Sequence, residues 1–306
     1  MLRPKVLVLL AAYNGSRWIG EQIRSILNQS EVDVHLVVSD DGSTDDTLEQ
    51  VRRWTGDSRI TLDGPPTPTG SAAQNFLWLI RNTDAEAFEY IALADQDDVW
   101  LDQKLSRACR ALDAQDAGGY SCAVTAFWSD GSEALLSQNS RLTASDFLFE
   151  GAGQGCTFVL TVRLFSRLKT FLADATLQTQ RLHYHDWTIY ALSRAWKVQW
   201  IFDSDPMVRY RQHNHNDTGA RASVSGLIKR LSLIKSGWYR RQVEAVAEIC
   251  FASAPREPVI ANWYSILHRP RGILRRIKAA AFCLQGGRRR RSDRLMLLIA
   301  IASGWL

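Results

Sequence analysis

Apolar positions cluster in three runs in the first hundred residues, and each run stops at a polar turn. The first, Lys5-Val-Leu-Val-Leu-Leu-Ala-Ala12, reads as a strand buried on both faces, the mark of a parallel sheet. Tyr13-Asn14-Gly15-Ser16 is turn chemistry with Ser16 placed to cap a helix, and Trp18, Ile19, Ile23, Ile26 and Leu27 then recur at helical spacing. Val34 to Val38 reads as a second buried strand. It ends on Ser39-Asp40-Asp41-Gly42-Ser43, and a helix from about Thr44 turns Leu48 and Val51 inward. Two strand–turn–helix units in succession predict a doubly wound α/β sheet.

Residues 61–73 hold Gly64, Pro65, Pro66, Pro68 and Gly70 and are expected to be loop throughout. A helix over 74–82, a third buried strand over Tyr90 to Ala94 and a helix over 103–116 follow. That strand runs directly into Asp95-Gln96-Asp97-Asp98. From 120 to 165 the apolar runs shorten and turn signals fall at Ser129-Asp130-Gly131 and Gly151-Ala152-Gly153, which fits mixed or antiparallel strands. Helices near 164–174 and 186–196 and a strand at 197–202 come next. After about residue 220 the pattern is helical and basic.

The chain has 306 residues, 46% apolar and 23% charged, which provides a core for an α/β domain with an appendage and excludes wholesale disorder. Cys109, Cys122, Cys156, Cys250 and Cys283 are scattered, with no CxxC pair, which favours a reduced, cytosolic setting. The early apolar run is too short for a secretory signal, and no stretch reaches the roughly 18 apolar residues of a membrane span.

The net charge of +5 hides an asymmetry. Residues 1–220 carry 20 Lys/Arg against 28 Asp/Glu, a balance of −8; residues 221–306 carry 17 against 4, a balance of +13. A basic tail of this kind meets phosphates, on a membrane surface or a nucleic acid. It mixes Leu227-Ile228-Lys229-Arg230-Leu231, Ile273-Leu274-Arg275-Arg276-Ile277-Lys278 and Arg288 to Arg291 with Trp238, Tyr239, Trp263 and Trp305. Amphipathic helices lying on an anionic bilayer have this composition. A helical bundle packed on the body, with a solvated basic face, fits the same residues. No RNA or DNA module is recognisable, so no nucleic-acid partner is expected.

Acidic clusters sit where strands end: Asp40 and Asp41 after the second, and Asp95, Asp97 and Asp98 after the third. Ligands of open α/β sheets bind at the carboxyl ends of strands. Carboxylates packed together repel unless a cation or a donor offsets them. Asp95 and Asp97, two residues apart, can reach one hard divalent ion in an extended turn. Each cluster alone is also ordinary turn and helix-cap composition; their recurrence at two strand ends of one sheet points to a site. The histidines form two His-x-His pairs, His183 with His185 and His213 with His215, but lack helical i, i+4 spacing and cysteine companions, so a zinc site is not expected. Gly-x-Gly-x-x-Gly is missing after the first strand, which argues against a dinucleotide-dependent dehydrogenase.

In order, residues 5–15, Ser39 to Asp45 and Ala92-Leu-Ala-Asp-Gln-Asp-Asp-Val-Trp100 resemble glycosyltransferase family 2. His185-Asp186-Trp187 and Tyr210-Arg-Gln-His213 resemble the later motifs of its rhamnosyltransferase-like branch. The resemblance covers about residues 4–216. It implies a GT-A fold, an α/β fold with a mostly parallel central sheet flanked by helices, here followed by a C-terminal basic helical extension over 221–306. The catalytic domain would be residues 1–220, with its nucleotide-binding half about 1–118 and its acceptor-binding half about 119–220.

The resemblance also implies inverting transfer of a sugar from a nucleoside diphosphate donor, with Mg²⁺ or Mn²⁺. Ala12 and Tyr13 would border the base, and Asp40 or Asp41 would accept from the N3–H of uracil or thymine. Asp95 would sit by the ribose and the metal, Asp97 would hold the metal, and His213 would lie near it or the diphosphate. Asp186 would be the general base; His185 stands where the common family pattern has Glu. A helix N-terminus, with Asp186 as cap and Trp187 as core contact, is the bland reading of the same residues. Asn75 would frame the nucleotide or cap a helix, beside Gln74 where many relatives carry Arg or Lys. Gln154-Gly155-Cys156 resembles a segment near the acceptor, where glycine lets backbone approach a sugar or simply makes a turn. Trp100 and Trp187 adjoin the site and are candidates to stack on sugar or base.

The branch points to L-rhamnose, from a dTDP or UDP donor, passed to a surface polysaccharide or lipid-linked glycan by an enzyme of the cytoplasm, peripheral on the inner face of the cell membrane. A sugar-1-phosphate nucleotidyltransferase is the alternative, but the turn Ala12 to Arg17 is poor in the glycines and basic residues that hold a triphosphate. A non-catalytic scaffold is the other, and the joint presence of Asp95, Asp97 and Asp186 argues against it.

Overall fold

The computed structural model describes residues 3–137, 141–174, 176–213 and 234–306. His215 and Leu227 to Leu231 lie outside the described residues. Strands β1 (Lys5–Ala12), β2 (Asp33–Asp40), β3 (Ile60–Asp63) and β4 (Tyr90–Asp95) lie parallel in the order β3-β2-β1-β4. Alternate residues of β1 serve two cores: Val6, Val8 and Leu10 face one, Leu7, Leu9 and Ala11 the other. That double burial is why the run is apolar at every position. Helices α1 (Ile19–Leu27), α2 (Thr47–Arg52) and α4 (Lys104–Gln115) cover the first face; α3 (Ala72–Asn82), α5 (Val162–Leu172) and α6 (His185–Ala195) cover the second.

Beyond β4 the sheet continues through β8 (Val159–Thr161), antiparallel to β4 and to β6 (Gly119–Phe127). Strand β9 (Trp200–Arg211) lies parallel to β6, β5 (Val99–Trp100) pairs antiparallel with β9, and β7 (Glu133–Leu136) folds back on β6. Register aligns Ala12 with Asp40 and Ala11 with Asp95. The loops leaving β1, β2 and β4 therefore issue side by side at one edge.

The elements differ from the sequence expectation in three places. Residues 61–63 are strand, because Thr61 and Leu62 pair in register with Val37 and Val38 of β2; the loop is confined to residues 64–71. Ser16 does not cap α1: its N–H donates to Asp45, and the Ile19 N–H is taken by the Gly15 carbonyl. Strand β9 runs to Arg211, well past 202, and it bulges opposite Cys122 to Val124 of β6, where Ser204, Asp205 and Met207 are the extra residues.

The last four helices are α7 (Trp238–Ser253), α8 (Pro258–Leu267), α9 (Ile273–Gly286) and α10 (Arg291–Ala302). Val246, Ile249, Trp263 and Phe282 join the same core as Leu148, Phe149 and Trp187. Arg289 is buried between them; it pairs with Asp146 and Glu150 and donates to the Gly151 carbonyl. The inner faces of these helices are thus packed on the body.

Candidate active site

The loops after β1 and β2 are stitched into one wall. Asn14, in the left-handed region at φ 48°, accepts from the Thr44 N–H at 2.8 Å and donates its own N–H to Ser43 Oγ at 2.9 Å. The Gly15 N–H donates to Thr47 Oγ1 at 2.7 Å. Gln96, from the middle of the acidic turn after β4, closes the wall: its amide accepts from the Tyr13 N–H and donates to the Tyr13 carbonyl, both at 2.8 Å. A Cβ on Gly15 would collide with the Gln96 side chain, so the close approach needs glycine. Ala12 is buried, and its carbonyl accepts from Asp41 N–H. The Tyr13 ring is left 55% exposed.

Asp40 accepts from the Gly42 and Ser43 N–H groups and from the Ser43 hydroxyl. Asp41, buried, accepts from the Thr69 and Gly70 N–H groups and the Thr69 hydroxyl, pinning the end of the Pro/Gly loop. Each carboxylate thus uses three of its roughly four lone-pair directions within the fold. Asn75 is neither a cap nor open to a ligand. Ser71 caps α3, and Asn75, buried, exchanges hydrogen bonds with Ser39.

The second acidic cluster is arranged differently. Asp97 Oδ2 lies 2.6 Å from His213 Nε2, and the His213 ring stacks on Trp18 with centroids 4.2 Å apart. Arg211, at the end of β9, donates Nε to the Asp97 carbonyl and its backbone N–H to Asp98 Oδ1. Asp98 is buried and its Oδ2 has no hydrogen-bond partner. Burial above all, then the charges of Asp97 and Asp95, push its carboxyl well above the ordinary range. Ligand atoms of Asp95, Asp98 and Cys156 lie within 4.8 Å of one another. An orphaned buried oxygen among carboxylates, with a histidine beside them, is a donor set that fits a hard divalent ion such as Mg²⁺ or Mn²⁺. Cys156 is a poor member of that set, since burial pushes its thiol up and keeps it protonated.

Beside Gly155, α6 opens with His185, Asp186 and Trp187. Tyr184 precedes the helix, so Asp186 stands inside the first turn, where the helix dipole favours a carboxylate, and it accepts from the Trp187 N–H at 2.6 Å. His185 is buried, stacked on Phe76 with centroids 4.0 Å apart, and burial lowers its pKa to about 3. Its Nε2 points at Gly155, where a Cβ would collide with it. The bare glycine therefore makes room for His185, which corrects the expectation of a sugar against that backbone. Gln154 precedes it, its carbonyl accepting from Thr157.

Both site tryptophans are also corrected. Trp100 is 2% exposed, with Lys104 Nζ 3.4 Å above its ring, and burial lowers the Lys104 pKa to about 8. Trp187 is buried, its indole N–H donating to the Phe147 carbonyl at 2.8 Å. Neither ring presents a face to a ligand. The aromatic group beside Asp186 is instead His183, Tyr184 and Trp238, whose ring centroids lie 4.8 to 5.5 Å apart. Sequence reasoning missed Trp238 here, and also Gln96, Arg211 and Trp18. Trp18 carried a signal as a large aromatic just before a helix, and Gln96 and Arg211 stand inside the Asp95 to Asp98 and Tyr210 to His213 segments.

A sheet of this order, with its acidic loops gathered at one edge, is the architecture of GT-A glycosyltransferases. The chain superposes on TarS from S. aureus with a TM-score of 0.59 at 15% identity, over 97% of its own length and 53% of that chain, so it spans about half of TarS. It superposes on the mannosyltransferase PcManGT from Pyrobaculum calidifontis, solved with GDP-Man and Mn²⁺, with a TM-score of 0.52 at 18% identity, over 98% of this chain and 86% of that one. Residues 7–185 match the family described as Glycosyl transferase family 2, and the chain belongs to that family. A dTDP-rhamnosyl transferase, RfbG of Shigella flexneri, is 36% identical over 240 residues, 78% of this chain and 83% of that protein.

Proposed function

We propose that this glycosyltransferase is inverting and metal-dependent, and that it moves L-rhamnose from dTDP-rhamnose to a lipid-linked glycan on the inner face of the cell membrane. The observation that carries the reading is the acidic corner of Asp95, Asp97, Asp98 and His213, beside the wall formed by the β1 and β2 loops. The sugar and its nucleotide rest on the likeness to RfbG.

In this reading the exposed Tyr13 ring covers the base, and the remaining lone pair of Asp40 or Asp41 accepts from the N3–H of a pyrimidine. Asp95 and Asp97 hold the ion, with His213, braced by Trp18, fixing the Asp97 carboxylate. A bound divalent cation supplies Lewis-acid stabilisation of the charge that grows on the leaving diphosphate. Asp186 takes the proton of the acceptor hydroxyl as it attacks. Inversion needs one displacement, hence one base and no covalent nucleophile. His183, Tyr184 and Trp238 offer aromatic surface to the acceptor glycan next to that base.

Thermal-shift titration with nucleoside diphosphates, with and without Mn²⁺, tests the donor half. dTDP with Mn²⁺ should give the largest stabilisation and EDTA should remove it; equal shifts in EDTA would end the metal role. Asp186→Asn should leave that shift intact while transfer falls by about a thousandfold or more. Release of pyrophosphate in place of nucleoside diphosphate would reassign the chain to nucleotidyl transfer.

A further inference from the structure

The outward faces of the last two helices break the usual rule. Helix α9 buries Ala279, Phe282 and Cys283, and α10 buries Leu297, Ala300 and Ile301. The opposite side of such a helix is normally polar. Here Ile273, Leu274, Ile277 and Leu284 are 58 to 72% exposed, and Leu295 and Ile299 are 60% and 51% exposed. Most of the large apolar side chains exposed among the described residues lie on these two helices. Ile273, Ile277 and Leu284 fall on one stripe of α9, and Leu295 and Ile299 on one stripe of α10. The helices pack as an antiparallel pair, with Arg276 bonding the Ala302 carbonyl at one end and Arg294 the Leu284 carbonyl at the other.

The surround is basic. Arg271, Lys278, Arg290 and Arg291 are exposed, and Asp293 is the sole acidic residue after Glu257. At 14 and 12 residues neither helix can cross a bilayer. A second copy docked patch to patch would face the same positive charges across a two-fold axis. An anionic lipid surface meets the leucines and isoleucines with acyl chains and the arginines with phosphates.

We propose that the α9–α10 pair lies in the interface of an anionic bilayer, apolar stripes inward and basic residues among the headgroups. Both earlier expectations for this segment then hold at once: its inner face is bundle and its outer face is anchor. Because Arg289 locks the pair to Asp146, Glu150 and Gly151, the anchored surface is rigidly tied to the body that carries Asp186. The inference rests on the reading of a lipid-linked acceptor, and its test uses no sugar, so the two can fail separately.

The test is flotation of the full chain with phosphatidylcholine vesicles, with and without phosphatidylglycerol. Wild type should float with the anionic vesicles only, and less at high salt. Ile277→Ser with Leu284→Ser and Leu295→Ser should weaken partitioning by about tenfold or more. Arg271→Gln with Lys278→Gln and Arg291→Gln should weaken it by about a hundredfold. Both variants should keep the wild-type melting temperature and nucleotide shift, since all six side chains are exposed. Failure of wild type to float, or undiminished flotation of the serine variant, overturns the proposal. So does a wild-type dimer that the serine variant abolishes without any vesicle binding, which would assign the face to a second copy.

Discussion

Two acidic clusters end neighbouring strands of one sheet, and they are built in opposite ways. At the end of β2, Asp40 and Asp41 are surrounded by donors: four backbone N–H groups and two hydroxyls converge on them. At the end of β4, Asp95, Asp97 and Asp98 crowd one another, the buried Asp98 carboxyl has only the Arg211 N–H and the weak Cys156 thiol beside it, and it is driven toward the neutral form. The first cluster holds loops in place and would stay intact without any ligand. Among the described residues the second leaves a buried carboxylate oxygen, Asp98 Oδ2, without a hydrogen-bond partner. A fold tolerates such repulsion where a cation relieves it, so the difference separates the residues that shape the pocket from those that hold charge within it.

The comparison breaks most sharply at Asp97. Asp97→Asn keeps the side-chain shape beside His213 and removes one charge from the crowded cluster. Transfer should fall by about a thousandfold or more, while the melting temperature stays level or rises. Rates measured with Mn²⁺, together with a melting curve, check both halves. Transfer near the wild-type rate would show that the cluster is ordinary turn acidity.

Asp41→Asn should behave in the reverse sense. Its amide NH₂ takes the place of one of the two oxygens, so a donor meets either the Thr69 N–H at Oδ1 or the Gly70 N–H and Thr69 hydroxyl at Oδ2, and bonds are lost. A loss of about 2 kcal/mol in urea unfolding is expected, since hydrogen bonds to charged groups contribute about 1.5–3 kcal/mol each. Donor affinity should weaken by about tenfold as the loop over 64–71 loosens. Stability equal to wild type would mean that this corner holds nothing together.

Much of this contrast could be read from the chain, and the unread part has identifiable causes. β1 and β4 were legible because burial on both faces leaves an unbroken apolar run, β2 because its Val34 to Val38 stretch is mostly apolar, and acids just past such runs must stand at strand ends. The distant donors that give each cluster its character were not, because Thr69, Gly70 and Arg211 are far in sequence from the carboxylates they serve. Arg211 arrives only because β9 outlasts its own apolar pattern, through Asp203 to Pro206, where periodicity has nothing to report. Trp100 misled for a different reason. Proximity to an acidic turn says nothing about side-chain direction, and strand alternation in β5 leaves Val99 half-buried while sending Trp100 into the core. In α9 and α10, apolar residues on all sides fit a bundle and an anchor equally well until packing shows which face is taken.

The smallest effect is the most specific test of the difference. Unfolded, Asp98 ionises near the ordinary value of 3.8; folded, it ionises only well above that. The folded state therefore binds a proton that the unfolded state has released. Its stabilising share is complete below the unfolded value and is lost as pH rises through the folded one. Asp98→Asn cannot ionise, yet its side-chain oxygen can still accept the Arg211 N–H. The variant should therefore be more stable than wild type at pH 8, with the gain shrinking toward pH 4. Adding Mn²⁺ at pH 8 should narrow the gain as well, because the ion favours the ionised wild-type carboxyl and does less for the amide. Urea unfolding at the two pH values, with and without the metal, measures all of this. A variant that loses stability equally at both would show that the Asp98 carboxylate, like those of Asp40 and Asp41, is held by its donors, and the contrast between the two clusters would disappear.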